Sequence, residues 1–488
     1  MFATCRKTTW ALVITLLALG ACKKDHGPAV EPIGGGSGSA NDSMYFIFKD
    51  EYLWNDVIPD SATFKPGSYS NLEDMFEALA SFKKNATGGY MDKYSFVDHG
   101  AVAGEINEGI AGDFGFDLDY QTRTDLRILY TYPGSPADQQ GIKRGWQIIS
   151  INGDSNLEYD AGPDGHGPHI DKISDAIYNN NTITLGLKRP DGTTTTATLN
   201  VANYNINPVL YSNTYTLGGK KIGYLVFNQF LSLEKAQPKI DAAFSTFSGI
   251  TDLIVDLRYN GGGAVETAEY MANLIAPASV GDKIKVMYKE YFNTNLTNHQ
   301  SSNYFKAKIP GYSDSWADVF ESWVRNPTAF FSTKGNVHPN TVVFIGSYST
   351  ASASELVMNV LKPYMPVKLV GDTTFGKPVG FVGITIGGYD MYAVSIWNKN
   401  ALGAGDYFNG FIPDDAATVP ANQRDEDYTI NWGSLNEVYL RRALKQLGVS
   451  DSELGRMAPA TESLRRFRTG RAIPDKHFKG MIIKPARQ

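Results

Sequence analysis

Apolar residues in SMYFIFKDEYLW (43–54) and LEDMFEALASFKK (72–84) recur at three- and four-residue intervals, which puts them on one face of a helix. A small helical domain is therefore expected over 43–104, acting as a structural cap. From 105 to 203 the pattern changes to short alternating runs: DFGFDLDY, LRILYTY, GWQIISING, TITLGLKR and TTTATLNV, with one amphipathic helix candidate at DKISDAIYNN. These predict a β-rich module. Beyond 204, apolar runs such as KIGYLVFNQF, ITDLIVDLR, TVVFI and VKLVGD alternate with helix candidates LEKAQPKIDAAFSTF, AVETAEYMANLIA and SELVMNVLK. That order is the signature of βαβ units, so 204–425 is expected to be an α/β core with a largely parallel sheet, interrupted by an aromatic-rich insertion over about 280–335. The remainder, 426–488, reads as a helical and then basic extension, solvated after 456. The fold class is multidomain α/β.

At 488 residues, core size is no constraint. With 42% hydrophobic and 20% charged residues and a formal net charge of −6, the composition is ordinary for a globular protein and carries no sign of nucleic-acid binding. The N-terminus changes the picture more. Arg6 and Lys7 precede an apolar stretch, Trp10 to Ala21, too short for a stable bilayer span, so residues 1–22 read as a secretory signal. Its end, Leu19-Gly20-Ala21-Cys22, resembles the lipobox of bacterial lipoproteins, which implies lipidation of Cys22. Cys5 leaves with the signal, so no disulfide is available to the mature chain. Residues 23–42, rich in Gly, Pro and Ser, read as a flexible tether. Lys23-Lys24-Asp25 resembles the export signal of some surface lipoproteins, and the expected location is the cell envelope, lipid-anchored at the outer membrane and periplasmic or surface-facing.

Within the β-rich module, YPGSPADQQGIKRGWQIISINGDS (132–155) resembles the central segment of PDZ domains. Such domains take a peptide C-terminus as an added strand. The loop Gly112, Asp113, Phe114, Gly115 and Phe116 is where the resemblance puts the carboxylate. His166, His169 and Asp171 lie in a Gly/Pro-rich stretch that reads as a solvated loop rather than a metal site, because no second ligand cluster accompanies it. Neither a metal nor an organic cofactor is expected.

The chemistry is expected at one sheet edge. Parallel strands present their C-terminal ends together, and active sites of open α/β sheets lie outside that edge. Three such ends run into Tyr259-Asn260-Gly261-Gly262-Gly263, into GSYSTASASE (346–355), and into Thr373-Thr374-Phe375-Gly376-Lys377. A glycine nest, a serine cluster and a lysine should converge there. A serine hydroxyl needs a neighbour to accept its proton, usually His and sometimes a neutral Lys. His338 precedes TVVFI and so sits roughly 20 Å from the turn at 3.3 Å per residue. Lys362 lies some 15 Å along the helix from Ser352 at 1.5 Å per residue. Lys377 is the lysine in reach, with His99 or His299 folding over the site as open alternatives.

DLRYNGGG (256–263), STASASE (349–355), FGKPVG (375–380) and GFIPD (410–414), behind a PDZ-like module, resemble the C-terminal processing (tail-specific) serine peptidases over about 105–420. The resemblance implies Ser352 as nucleophile, Lys377 as base, and an oxyanion hole from the backbone N–H groups of Ala353 and Gly262. Many members carry a Gln four residues after the Lys, or an Asp eleven after the Ser; here these are Phe381 and Pro363. Either the dyad acts alone or a polar group such as Thr373 or Thr374 positions the lysine. The function implied is a serine endopeptidase acting on protein substrates near apolar C-termini. An inactive peptide-binding scaffold lipoprotein and a small-substrate esterase or amidase are the rival expectations.

Overall fold

The computed structural model describes residues 39–455 except 101, 103, 163–164, 310 and 420–424, together with the backbone of 481–482. Cys22, the signal and nearly all of the tether lie outside the described residues.

The central sheet has five strands in the order Val367–Gly371, Thr341–Gly346, Asp252–Asp256, Lys220–Phe227, Val209–Leu217. The first four are parallel and the last is antiparallel at the edge. All five residues of Asp252–Asp256 are buried, because both faces of the sheet are covered. Helices Leu233–Ser245, Val265–Ile275 and Ala353–Leu361 cover one face through residues such as Ile240, Met271 and Val357. The other face is covered by helix Val438–Gln446, with Tyr439, Leu440 and Leu444 in the core. The span read as an extension therefore contributes a wall of this domain.

A second sheet differs from the expected single parallel one. Its main path is Gly263–Ala264, Met481–Ile482, Val379–Ile386, Tyr389–Asn400, Asp282–Tyr291, Thr328–Ser332, and Phe96–Asp98 pairs with Tyr389–Asn400 as well. Strands 379–386 and 389–400 form an antiparallel hairpin turned by Gly387 and Gly388, whose φ of 58° and 86° suit the tight primed turns of hairpins. The insertion supplies Asp282–Tyr291, helix Trp316–Arg325 and Thr328–Ser332. Helices Ala40–Glu51 and Leu72–Ala80 share one apolar core with this sheet, where Phe48 and Phe76 join Phe381, Ile384 and Val394. The N-terminal helical segment is thus built into the second sheet.

Residues 116–200 form an antiparallel five-stranded sheet with its own core, including Leu118, Ile128, Ile148 and Leu185, and two helices, Pro136–Gln139 and Pro168–Tyr178. A short pair, Ile110–Asp113 with Ala202–Asn205, closes its base.

Candidate active site

The sheet register sets Gly346 opposite Gly371 and Asp256 opposite Ile345, so the three turns leave the same edge. Side chains from the serine turn then bind the backbone of the glycine turn. Thr350 Oγ1 donates to the Leu257 carbonyl at 2.7 Å, Ser354 Oγ to that of Asn260 at 3.0 Å, and Ser347 Oγ to that of Arg258. The third turn joins through the Phe375 N–H, which donates to the Thr350 carbonyl at 2.9 Å.

Ser352 stands immediately before helix Ala353–Leu361 at φ 59°, ψ −109°. A residue with a Cβ adopts this conformation at a cost of order 1–3 kcal/mol, which is how a strand-to-helix elbow presents a hydroxyl. Its side chain is buried, and its Oγ has no hydrogen-bond partner among the described residues. That is the state of a hydroxyl not yet committed to any acceptor.

Lys377 is buried as well, with Nζ 3.4 Å from the centre of the Phe381 ring and 5.7 Å from that of Tyr94. Desolvation holds its amine well below the ordinary lysine value, while the carboxylates of Asp92 and Glu355 act against that shift. Position 381, where a polar orienter was sought, gives the lysine a ring face instead.

By position alone, Glu355 is an acid in the first turn of helix Ala353–Leu361. In the structure it joins the two turns. Its Oε1 accepts from Thr374 Oγ1 at 2.5 Å and from the Gly376 N–H at 2.8 Å; its Oε2 accepts from the N–H groups of Ser352 at 2.9 Å and Lys377 at 2.8 Å. Burial pushes this carboxyl up from its usual range, and these four donors oppose the shift. Thr374, one of the two threonines considered as lysine orienters, acts on Glu355 and accepts from the Phe411 N–H at 2.7 Å. The signal available in the sequence was the three-residue offset from Ser352.

At the glycine turn, the Gly262 N–H donates to Asn260 Oδ1 at 2.9 Å, so an oxyanion would have to draw it away from that side chain. Ala353 is buried at the first position of its helix, where backbone N–H groups lack intrahelical acceptors. Beside this turn a cavity of about 270 Å³ is lined by Ala264, Val265, Glu266, Glu269 and Glu290. Burial first, and Glu269 second, push Glu290 up to about 8.

Behind the glycine turn lies a buried charge network. Arg258 donates to Asp256, Glu437 and Glu426, and Arg144 of the 116–200 module donates to the same Glu426 Oε1 at 2.6 Å. Tyr259 completes it with an O–H donated to that oxygen at 2.6 Å. The candidate peptide loop has Phe114 buried, Gly115 at φ 78°, and the Gly115 N–H held by Asp113 Oδ1 at 2.7 Å. Gly112 and Asp113 lie in the short strand pair opposite Asn203 and Ala202, and Phe116 pairs with Thr131. His99 bonds Glu73 at 3.0 Å and is exposed. His166 and His169 lie against Asp171 and Asp160.

The model of peptidase family S41 matches residues 221–414, which contain all three turns. Over that segment the chain is similar to the S41 peptidases. A probable CtpA-like serine protease of Staphylococcus aureus strain N315 is 26% identical over 279 residues, covering 56% of this chain and 46% of that protein. A carboxyl-terminal-processing protease of Picosynechococcus sp. is 26% identical over 268 residues, 54% of this chain and 53% of its own. The chain thus spans about half the length of these relatives. A crystal structure described as an S41 protease from Bacteroides fragilis NCTC 9343 shares the fold, with a TM-score of 0.57 and 23% identity over 83% of this chain and 96% of that one. The matched segment holds the parallel strands and the three turns; the 116–200 module and the N-terminal helices fall outside it.

Proposed function

We propose that the chain is a serine endopeptidase acting through Ser352 and Lys377. The observation that carries this reading is the single Glu355 carboxylate holding the turn of a strained, unpartnered serine and the turn of a buried lysine. Ser352 Oγ attacks the scissile carbonyl as its proton passes to neutral Lys377 Nζ. The tetrahedral oxyanion is met by the Ala353 N–H and by that of Gly262 once released from Asn260. Lys377 then returns the proton to the leaving amine, and the C–N bond breaks to give an acyl-enzyme and a new N-terminus. Water, deprotonated by the same amine, attacks the ester, and the proton returns to Ser352 as the acid product leaves.

Protein substrates with flexible apolar C-termini fit this reading, with the 105–203 module acting as a PDZ-like reader through Gly112–Phe116. Lipidation at Cys22 would hold the enzyme at the outer membrane. One observation favours the scaffold alternative: the Gly262 N–H is already occupied. Hydrolysis of an unfolded protein across pH separates the two readings. Turnover abolished by both Ser352→Ala and Lys377→Ala, rising with pH as the lysine deprotonates, supports the peptidase. Binding of C-terminal peptides without turnover in the wild type overturns it.

A further inference from the structure

The two peptide units that precede Lys377 are each fixed at both ends. On the N–H side, Glu355 takes the amides of Gly376 and Lys377. On the carbonyl side, a distant segment does the corresponding work: Lys93 Nζ donates to the Phe375 oxygen at 3.2 Å, and Tyr94 O–H donates to the Gly376 oxygen at 2.6 Å. A peptide unit held at its oxygen and its nitrogen cannot rotate, and the direction of the Lys377 Cα–Cβ bond follows from those two planes.

The segment that holds the carbonyls is itself held. Asp92, 8% exposed, accepts at Oδ1 from the N–H groups of Tyr94 and Ser95, at 3.0 and 2.9 Å. Its Oδ2 accepts from Tyr52 O–H at 2.9 Å and Ser95 Oγ at 2.6 Å. Ser95 Oγ in turn accepts from the N–H of Val394, the strand partner of Phe381. Tyr94 packs against Phe375 at 6.0 Å between ring centres, and Lys93 lies 4.4 Å over the same ring.

We propose that Tyr94 and Lys93, braced by Asp92, are the positioning residues of the base Lys377, doing from the N-terminal segment what a polar side chain at 381 would otherwise do. The inference rests on the Ser352–Lys377 reading. The charges that act on the lysine are those of Asp92 and Glu355, and the Tyr94 ring lies 5.7 Å from its Nζ; Tyr407 and Lys93 are coupled to the same Glu355. Asp92 therefore has a second effect, since its charge favours the protonated amine.

Tyr94→Phe keeps the ring and removes the donor. The expected result is a kcat lower by about 10- to 100-fold, as for a misplaced catalytic group, with KM within about twofold. The acidic limb of the kcat/KM profile should move to higher pH as water reaches the amine. Asp92→Asn should move that limb the opposite way, to lower pH, because the neighbouring negative charge is lost. Lys93→Met, a change at a solvent-exposed side chain, should lower kcat about 3- to 10-fold without altering the fold, and it keeps the test open if Tyr94→Phe fails to fold. Ser352-dependent turnover with kcat and pH limb unchanged in Tyr94→Phe and Lys93→Met overturns the positioning role alone. A kcat loss with an unmoved limb in both also overturns it, as a general structural effect. Absence of Ser352-dependent turnover in the wild type removes the dyad reading, and this inference with it.

Discussion

The backbone N–H groups of Ser352 and Lys377 donate to the same oxygen, Oε2 of Glu355, at 2.9 and 2.8 Å. The serine elbow and the lysine turn, the proposed nucleophile and base, are thus referenced to one buried atom. Glu355→Gln turns one acceptor into an NH₂ facing backbone donors, leaving at least two buried N–H groups unmatched. The expected cost is about 2–4 kcal/mol in denaturant unfolding, with kcat reduced more than about 100-fold. Retained activity together with retained stability would remove Glu355 from the site.

The positive φ of Ser352 makes a second prediction, because strain and catalysis are then opposed at one residue. Ser352→Gly should abolish turnover yet raise stability by about 1 kcal/mol, since glycine reaches φ 59° readily and the hydroxyl it removes has no partner. Ser352→Ala should abolish turnover while leaving the backbone strain in place. Thermal melts of the three proteins, side by side, measure the difference.

Glu51 is buried, and neither carboxylate oxygen has a hydrogen-bond partner among the described residues. Burial raises its carboxyl well above the usual value, and Asp50 adds to the effect. The folded state therefore holds the proton more tightly than the unfolded one. Stability is fully present below the ordinary glutamate range and is lost as pH rises through the raised value. Glu51→Gln should match wild type near pH 4 and exceed it increasingly towards pH 8, by about 1–3 kcal/mol. Denaturant midpoints across that range provide the check; a constant difference would show that Glu51 does not titrate in this way.

Arg144 joins the 116–200 module to the α/β core through Glu426, through the Tyr259 hydroxyl at 3.0 Å and through the Ile430 carbonyl at 3.1 Å. Trp432 lies 4.0 Å from its guanidinium carbon. Arg144→Leu should cost about 3 kcal/mol, the lower end for breaking a buried pair, because Arg258 still faces Glu426. Amide hydrogen exchange should rise first at the contacts between module and core, around 128–130 and 426–432. Uniform acceleration across the whole chain would mean that the contact is not the weak point.

Most of the parallel sheet was legible because its strands are buried on both faces and read as continuous apolar runs ending in turn residues. From these, the edge rule brought the glycine, serine and lysine turns together. The second sheet was hidden for the opposite reason. Asp282–Tyr291 has four exposed residues at its start, which blurs any alternation. The hairpin over 379–400 carried a readable sign, the Gly387-Gly388 pair between two β-rich runs, which the expectation of a parallel sheet left unused. Glu355 was legible as an acid near a helix start, but its acceptor role depends on where a turn 20 residues later returns. Lys93, Tyr94 and Ser95 gave no sign of their role, since the backbone groups they hold lie 282 to 299 residues away.

That separation has a consequence for biogenesis. The bonds from Lys93 and Tyr94 to the base turn each span 282 residues, and Arg258 needs Glu437, 179 residues further on. Chain growth or export proceeds from the N-terminus, so the early segment must wait for nearly the whole polypeptide before it finds its partners. Contacts this distant in sequence form late and slowly. A chain stalled before these partners are made consequently carries its early segment without the contacts that brace the Lys377 turn.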